Sequence, residues 1–286
     1  RIRGIVPVYE HWHYIPELLA HLAEQTIPPS RFEVLLVDNG STDFAPPAEL
    51  PENTRVHRCE QPGSYAARNY GIDQARGDWL VFTDADCRPG PGWLASLMQR
   101  ADRVNGTPTL LAGPVKMVCR RDQPCAYEMY DLVRGIPQAW YVSRGYAATA
   151  NLAVPAKLAH RIGLFDDTRF SGADADFCRR ATEIGVRLDY VPEASVAHPA
   201  RDSWADLTRK ARRIKGGQLK AGSDERRRNS WVRTFLPPVV EVQRFMRQRD
   251  LPMRYRAVAV LMQFRIWGVE MREAMRLLAK STVERR

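Results

Sequence analysis

Within the first two hundred residues, short apolar runs repeatedly break off into acidic or turn-forming residues, with amphipathic stretches between them. Ile2-Arg3-Gly4-Ile5-Val6-Pro7-Val8 reads as a buried strand ending near a proline, and Phe32–Val37 as a second strand stopped by Asp38-Asn39-Gly40-Ser41. Arg55–Arg58 is a weaker strand, and Trp79–Phe82 runs into Thr83-Asp84-Ala85-Asp86. Between them, Ile15–Gln25 sets Ile15, Leu18, Leu19 and Leu22 on one helical face, and Tyr65–Ala75 is a helix closed by Gly77. Strand, helix, strand at this spacing demands a mostly parallel, Rossmann-like α/β sheet with helices on both faces. Such sheets bind ligands beyond the carboxyl ends of their strands, so the polar residues after each strand are the ones to examine.

Further along, Leu110–Val118 and Tyr146–Val154 read as strands and Pro124–Val133 as a helix. Asp174–Glu183 is a helix with Gly185 at its cap, and Arg187–Val191 is a last strand. From Trp204 the chain is helical, with breaks expected at Gly216-Gly217 and Pro237-Pro238. Charge divides the same way. Residues 1–200 hold 21 Lys and Arg against 24 Asp and Glu, whereas residues 201–286 hold 22 against 9. We therefore expect a domain over 1–200 and a basic helical extension over 201–286. No run approaches the ~20 apolar residues of a spanning helix, and no signal peptide is visible. Five cysteines without CxxC spacing fit reduced thiols in a cytoplasmic protein.

The sharpest chemical feature is Asp84-Ala85-Asp86 after an apolar strand. Two carboxylates one residue apart at a strand end can hold Mg²⁺ or Mn²⁺, which prefer one or two carboxylates plus phosphate oxygens and water. A cation there neutralises the charge that grows on a departing diphosphate. An isolated D-x-D is by itself more often an acidic turn, so its setting matters.

That setting is Ile5-Val6-Pro7-Val8-Tyr9, then Val34–Asp43, then Ala67-Arg68-Asn69-Tyr70-Gly71-Ile72, then Gly77–Asp86, in that order. The succession resembles the family 2 glycosyltransferases of the GT-A fold over roughly residues 2–200. The resemblance implies an inverting transferase that uses a nucleoside-diphosphate sugar and a divalent cation. Pro7 and Tyr9 would line the nucleobase pocket beside Glu10, which stands where the family usually has Asn. Asp38 would accept a hydrogen bond from base or ribose, and Arg68 would face the diphosphate. Asp84 would approach the ribose or sugar, Asp86 would ligate the metal, and Asn151 of Thr149-Ala150-Asn151 would touch the donor sugar.

Inversion needs a carboxylate on the acceptor side to take the hydroxyl proton. Relatives usually show Glu-Asp in this segment. Here it reads Ala173-Asp174, which leaves Asp174 as the general base, and a helix N-cap role is compatible with that. Asp176 is the reserve candidate. His198 is a candidate further metal ligand, and Arg201, Lys210 and Arg213 could close over the diphosphate.

Over Arg254–Lys280, Leu261, Phe264, Trp267, Met271, Met275 and Leu278 recur at helical spacing, with Arg265, Arg272, Arg276 and Lys280 on another side. Such a helix can lie on an anionic bilayer, pack on the catalytic domain, or pair with a second copy in a homodimer. The expectation is a cytoplasmic, peripheral transferase that moves a sugar from UDP-sugar to a glycan or lipid-linked acceptor, with no nucleic-acid partner. Two other readings compete with it. One is a GT-A-like nucleotidyltransferase, for which Arg3-Gly4 is not the required Gly- and Lys-rich signature. The other is a non-catalytic protein binding polyanions or membranes through its basic tail.

Overall fold

The structure, a computed structural model, describes residues 1–104, 106–220 and 224–279. It divides into two compact units. The first comprises Arg1–Lys116, Ile136–Thr168 and Ala173–His198. The second takes Met117–Gly135, Arg169–Gly172 and the chain from Pro199.

Among the described residues ten strands occur in chain order: β1 (Ile2–Val8), β2 (Phe32–Asp38), β3 (Thr54–Arg58), β4 (Trp79–Phe82), β5 (Arg88–Pro89), β6 (Thr109–Ala112), β7 (Val115–Val118), β8 (Leu152–Pro155), β9 (Arg187–Tyr190) and β10 (Val196–Pro199). Seven form one sheet, ordered β3-β2-β1-β4-β8-β6-β9, and β5-β10-β7 form a smaller one. The large sheet is parallel except at β8, which runs antiparallel to both β4 and β6. Val8 lies opposite Asp38, so β1 and β2 end level and release their loops side by side.

The helices α1 (Ile15–Ala23), α2 (Ser64–Gln74), α3 (Trp93–Arg103), α5 (Gln138–Val142), α6 (Ala156–Ile162) and α7 (Ala173–Glu183) belong to the first unit, whereas α4 (Ala126–Arg134) belongs to the second. The apolar strands are buried on two faces. Ile2, Val6, Val8 and Leu36 join Leu18, Leu22, Trp93 and Leu97 in one core, while Ile5, Leu35, Leu80 and Phe82 join Ile72, Leu158, Phe177 and Cys178 in another. Each fully enclosed aliphatic side chain there contributes about 1.5–3 kcal/mol.

Three expected elements differ. The single strand over Leu110–Val118 is split at Gly113-Pro114, because proline lacks the ladder donor. Gly113 is also so close to Ala194 that an added Cβ would clash with its carbonyl. Only Leu152–Pro155 of the expected Tyr146–Val154 strand is extended, and Thr149–Asn151 is a tight 3-10 turn. Gly216-Gly217 does not interrupt its helix. An added Cβ on Gly217 would lie 2.9 Å from the Ser171 carbonyl oxygen, so the residue serves close packing rather than a break. Helices α3 and α6 had no counterpart in the sequence reading.

The second unit is helical. It consists of α4 with α8 (Trp204–Lys220), α9 (Asp224–Phe235), α10 (Val239–Arg247) and the long α11 (Met253–Leu278). Tyr130, Val133, Leu207, Ala211, Phe245, Met262 and Ile266 form its core. Tyr130 donates to Gln263 Oε1 at 2.9 Å and accepts from Arg134. The enclosed Asp131 accepts from Arg201 at 3.0 Å and from Lys210 at 3.3 Å, so both cations are committed inside this unit. Burial lowers the Lys210 ammonium to about 7. No helix among the described residues is long and apolar enough to cross a membrane.

Gly71 carries α2 against β1, and a Cβ there would come within 2.6 Å of the enclosed Ile5 side chain. Gly71→Ala is expected to cost about 1–3 kcal/mol of stability in urea unfolding, since the core cannot yield the space.

Candidate active site

The polar residues released at the carboxyl ends of β1, β2 and β4 gather in the first unit. Beyond β4, Asp84, Asp86 and Cys87 meet His198 of β10, with ligand atoms all within 4.8 Å of one another. Asp86 Oδ2 lies 3.6 Å from His198 Nε2. Asp86 and His198 are 112 positions apart in sequence, and the pairing of β5 with β10 brings the two side chains together. Burial, reinforced by the charges of Asp84 and Asp86, raises the Cys87 thiol well above its ordinary value. The two carboxylates suit a hard divalent cation such as Mg²⁺ or Mn²⁺, with the His198 imidazole as a further donor beside them.

The first turns of α2 supply the next layer. Gly63 precedes the helix with φ of 126°, a conformation open to glycine. Tyr65 and Arg68, three residues apart, then share one helical face. Arg68 is only 3% exposed, and its Nη2 donates to Asp84 Oδ1 at 2.6 Å. Its Nε meets no protein acceptor. The guanidinium carbon sits 5.5 Å from the Tyr65 ring centre. Tyr65 in turn donates its hydroxyl to Asp174 Oδ1 at 3.1 Å, and the same oxygen accepts from the Ala175 N–H. One helical turn thus links the acidic loop after β4 to the acidic start of α7. Burial pushes the Asp174 carboxyl above the usual range, against the Ala175 N–H, the Arg68 charge and the Tyr65 hydroxyl, all of which pull it down. Asp176 faces elsewhere and pairs with Arg180 at 2.9 Å.

At the β1–β2 end, Pro7 sits opposite Val37 and is half-buried, as is Tyr9. Glu10 adopts φ of 57°, a left-handed conformation rare outside glycine. Its Oε1 accepts from the Thr42 N–H at 2.8 Å and the Thr42 hydroxyl at 2.9 Å, and its own N–H donates to Ser41. These bonds hold its carboxyl below the ordinary range. Glu10 thereby clamps the loop after β2, and beside it opens a cleft of about 230 Å³ lined by Trp12, His13, Pro16, Asp43, Ala45 and Pro47. Asp38 is fully enclosed. Trp12 Nε1 donates to its Oδ1 at 2.9 Å, while the N–H groups of Gly40 and Ser41 donate to Oδ2. Its carboxylate shapes the turn and has no open side toward solvent.

Asn151 is likewise part of the frame. It is fully buried; its Oδ1 accepts from Trp93 Nε1 at 2.9 Å, and its Nδ2 donates to the carbonyls of Pro114 and Ala194. Both polar atoms of the amide thus have partners within the protein. The sequence reading passed over Tyr65, although its position three residues before Arg68 was the available signal. It also passed over an aromatic group near α7. The Tyr141 and Tyr146 rings stack with centres 4.8 Å apart, Trp140 packs edge-on to Tyr146, and Arg179 lies over the Tyr146 ring. Burial raises the Tyr146 hydroxyl to about 12.

An open, mostly parallel sheet with an acidic loop at the end of a central strand is the arrangement of the GT-A fold. The chain belongs to glycosyl transferase family 2, whose domain matches residues 5–109. It is 34% identical over 223 residues to the glycosyltransferase AglE of Haloferax volcanii, covering 76% of this chain and 72% of that one. Other curated glycosyltransferases match over only 40% and 34% of their own length. Among solved structures, the mannosyltransferase PcManGT of Pyrobaculum calidifontis, in complex with GDP-Man and Mn²⁺, superposes with a TM-score of 0.59. That match has 19% identity and covers 99% of this chain and 88% of the other. S. aureus TarS 1-349 in complex with UDP-GlcNAc gives 0.56 at 19% identity, over 96% and 89%.

Asn151→Ala is expected to destabilise the protein by about 2–4 kcal/mol in denaturant unfolding, because it strands the Trp93 N–H and opens a small void. A frame role predicts that nucleotide affinity, measured below the unfolding transition, stays within about twofold of wild type.

Proposed function

We propose that this glycosyltransferase acts with inversion, taking a sugar from a nucleoside-diphosphate sugar, UDP-sugar by preference, and passing it to a hydroxyl of a glycan or lipid-linked saccharide. The observation that carries this reading is the contact series Asp84–Arg68–Tyr65–Asp174, which joins the diphosphate side to a carboxylate of raised proton affinity. The acceptor oxygen attacks the anomeric carbon opposite the leaving group and its proton passes to Asp174. The bond from that carbon to the diphosphate oxygen breaks, and the electron pair leaves with the nucleotide. A carboxylate whose pKa lies above the usual Asp range is the better proton acceptor.

Asp86 and His198, with Asp84 beside them, would hold Mg²⁺ or Mn²⁺, which supplies positive charge against the diphosphate when bound. Arg68 adds a fixed guanidinium there, with its Nε still to be satisfied. Pro7, Tyr9 and the Glu10-clamped loop form the nucleoside end, where Asp38 acts by holding its turn. The Trp140, Tyr141 and Tyr146 rings supply flat apolar faces on the acceptor side of Asp174, suited to a sugar ring. The five cysteines are free thiols, which supports a cytoplasmic setting.

Asp174→Asn is expected to lower transfer by about 10²–10⁴-fold while Mn²⁺-dependent binding of the nucleotide, read by calorimetry across UDP, GDP and dTDP, is retained. Turnover close to wild type would remove Asp174 from the mechanism. Asp86→Ala should abolish the metal dependence of that binding. The acid limb of kcat/KM should lie above the ordinary carboxylate range, because the base must lose its proton first. In Tyr65→Phe it should move to higher pH still, since the lost hydroxyl had favoured the carboxylate.

A further inference from the structure

The second unit exposes an apolar face that its own core leaves uncovered. On α11, Ala259, Met262, Ile266 and Val269 turn inward. At 3.6 residues per turn, the opposite side is marked by Leu261, Phe264, Met271, Met275 and Leu278. Four of these are strongly exposed: Leu261 at 69%, Phe264 at 45%, Met275 at 54% and Leu278 at 65%. With Gly268 they follow in alternating steps of three and four, a continuous strip along the helix. The exposed Arg254, Arg265, Arg272 and Arg276 line one border of this strip, closer to it than the sequence reading placed them, while Lys280 lies outside the described residues.

A second apolar element adjoins the strip. Pro237-Pro238 separates α9 from α10, and around it Phe235, Leu236, Val239 and Val240 are 47%, 55%, 55% and 75% exposed. Trp267 Nε1 donates to the Thr234 carbonyl at 2.8 Å, and the Phe264 ring packs edge-on against Trp267. The proline turn therefore lies beside the strip. Residues 224–279 contain twelve arginines against six acidic residues. Of the two acids on the middle of α11, Glu270 is paired with Lys215 and Glu273 with Arg276.

We infer that this face docks on an anionic lipid surface, with the strip and the proline turn in the headgroup region and the bordering arginines on lipid phosphates. Charge complementarity decides the occupant. A second copy pairing antiparallel along the strip would set arginine border against arginine border, with Glu273, already engaged by Arg276, as the acid beside it. An anionic bilayer supplies both the apolar boundary and the counter-charge. The inference concerns the second unit alone and does not depend on the catalytic assignment.

The test is co-sedimentation of the full chain with phosphatidylcholine vesicles, with and without about a third of phosphatidylglycerol. Binding is expected only with the anionic lipid, and is expected to fall at least about tenfold in Leu261→Ser/Phe264→Ser and again in Arg265→Gln/Arg272→Gln, with unchanged thermal melts. Equal binding to neutral and anionic vesicles, no binding at low salt, or binding indifferent to Leu261→Ser/Phe264→Ser would overturn it. So would a dimer in sedimentation equilibrium that the same double variant dissolves, which would give the face to a second copy. Should a variant melt early, the lipid and salt dependence of the unaltered chain decides.

Discussion

A guanidinium almost sealed from solvent is costly to keep charged, and Arg68 is kept by Asp84 at 2.6 Å. Much of the site's order depends on that pair. It fixes the acidic loop after β4 against the start of α2, and it holds a positive charge where anionic oxygens can meet it. The same helical turn presents Tyr65 to Asp174, so one local conformation positions groups that belong to distant parts of the chain. The glycine at its start and the close seat of Gly71 on Ile5 are what let α2 enter at this height. Removing Asp84 would leave the Arg68 charge enclosed without its partner, which is more expensive than losing a surface contact.

Asp174 shows the opposite balance. Its carboxylate gives up stability to its surroundings: its folded pKa lies above the unfolded value, so the ionised form weighs against folding at neutral pH, and that penalty fades as pH falls through the folded value. Enclosure drives this shift, while the Ala175 N–H, the Arg68 charge and the Tyr65 hydroxyl favour the ionised form.

The parallel frame was legible because strands buried on both faces are written as unbroken apolar runs, as in Leu35–Val37 and Leu80–Phe82. The acidic loop after Phe82 was legible for the same reason: the run ends and the carboxylates begin. Hydrogen bonds formed across the fold were not. Asp38 and Asn151 sit where a ligand contact would be sought, and only the side chains that surround them reveal that their oxygens and nitrogens serve the frame. Glu10 is the converse case. It departs from the Asn usual in the family, and its left-handed backbone and bonds to Thr42 give it a plain structural purpose. Gly216-Gly217 was misjudged because a glycine needed for close packing looks identical, in sequence, to one that ends a helix.

The reversed direction of β8 has a wider consequence. Because Leu152 rather than Pro155 pairs with the last residue of β4, this strand begins at the reactive rim where its neighbours finish. The residues leading into it, from Gln138 to Asn151, are therefore delivered to that rim from the far side of the sheet, independently of the loops that follow β1, β2 and β4. In the proposed mechanism the two ends of the reaction are furnished by separate stretches of chain. Over evolutionary time, insertions and replacements in one stretch can retarget which alcohol is glycosylated while the machinery that grips the activated sugar is inherited unaltered.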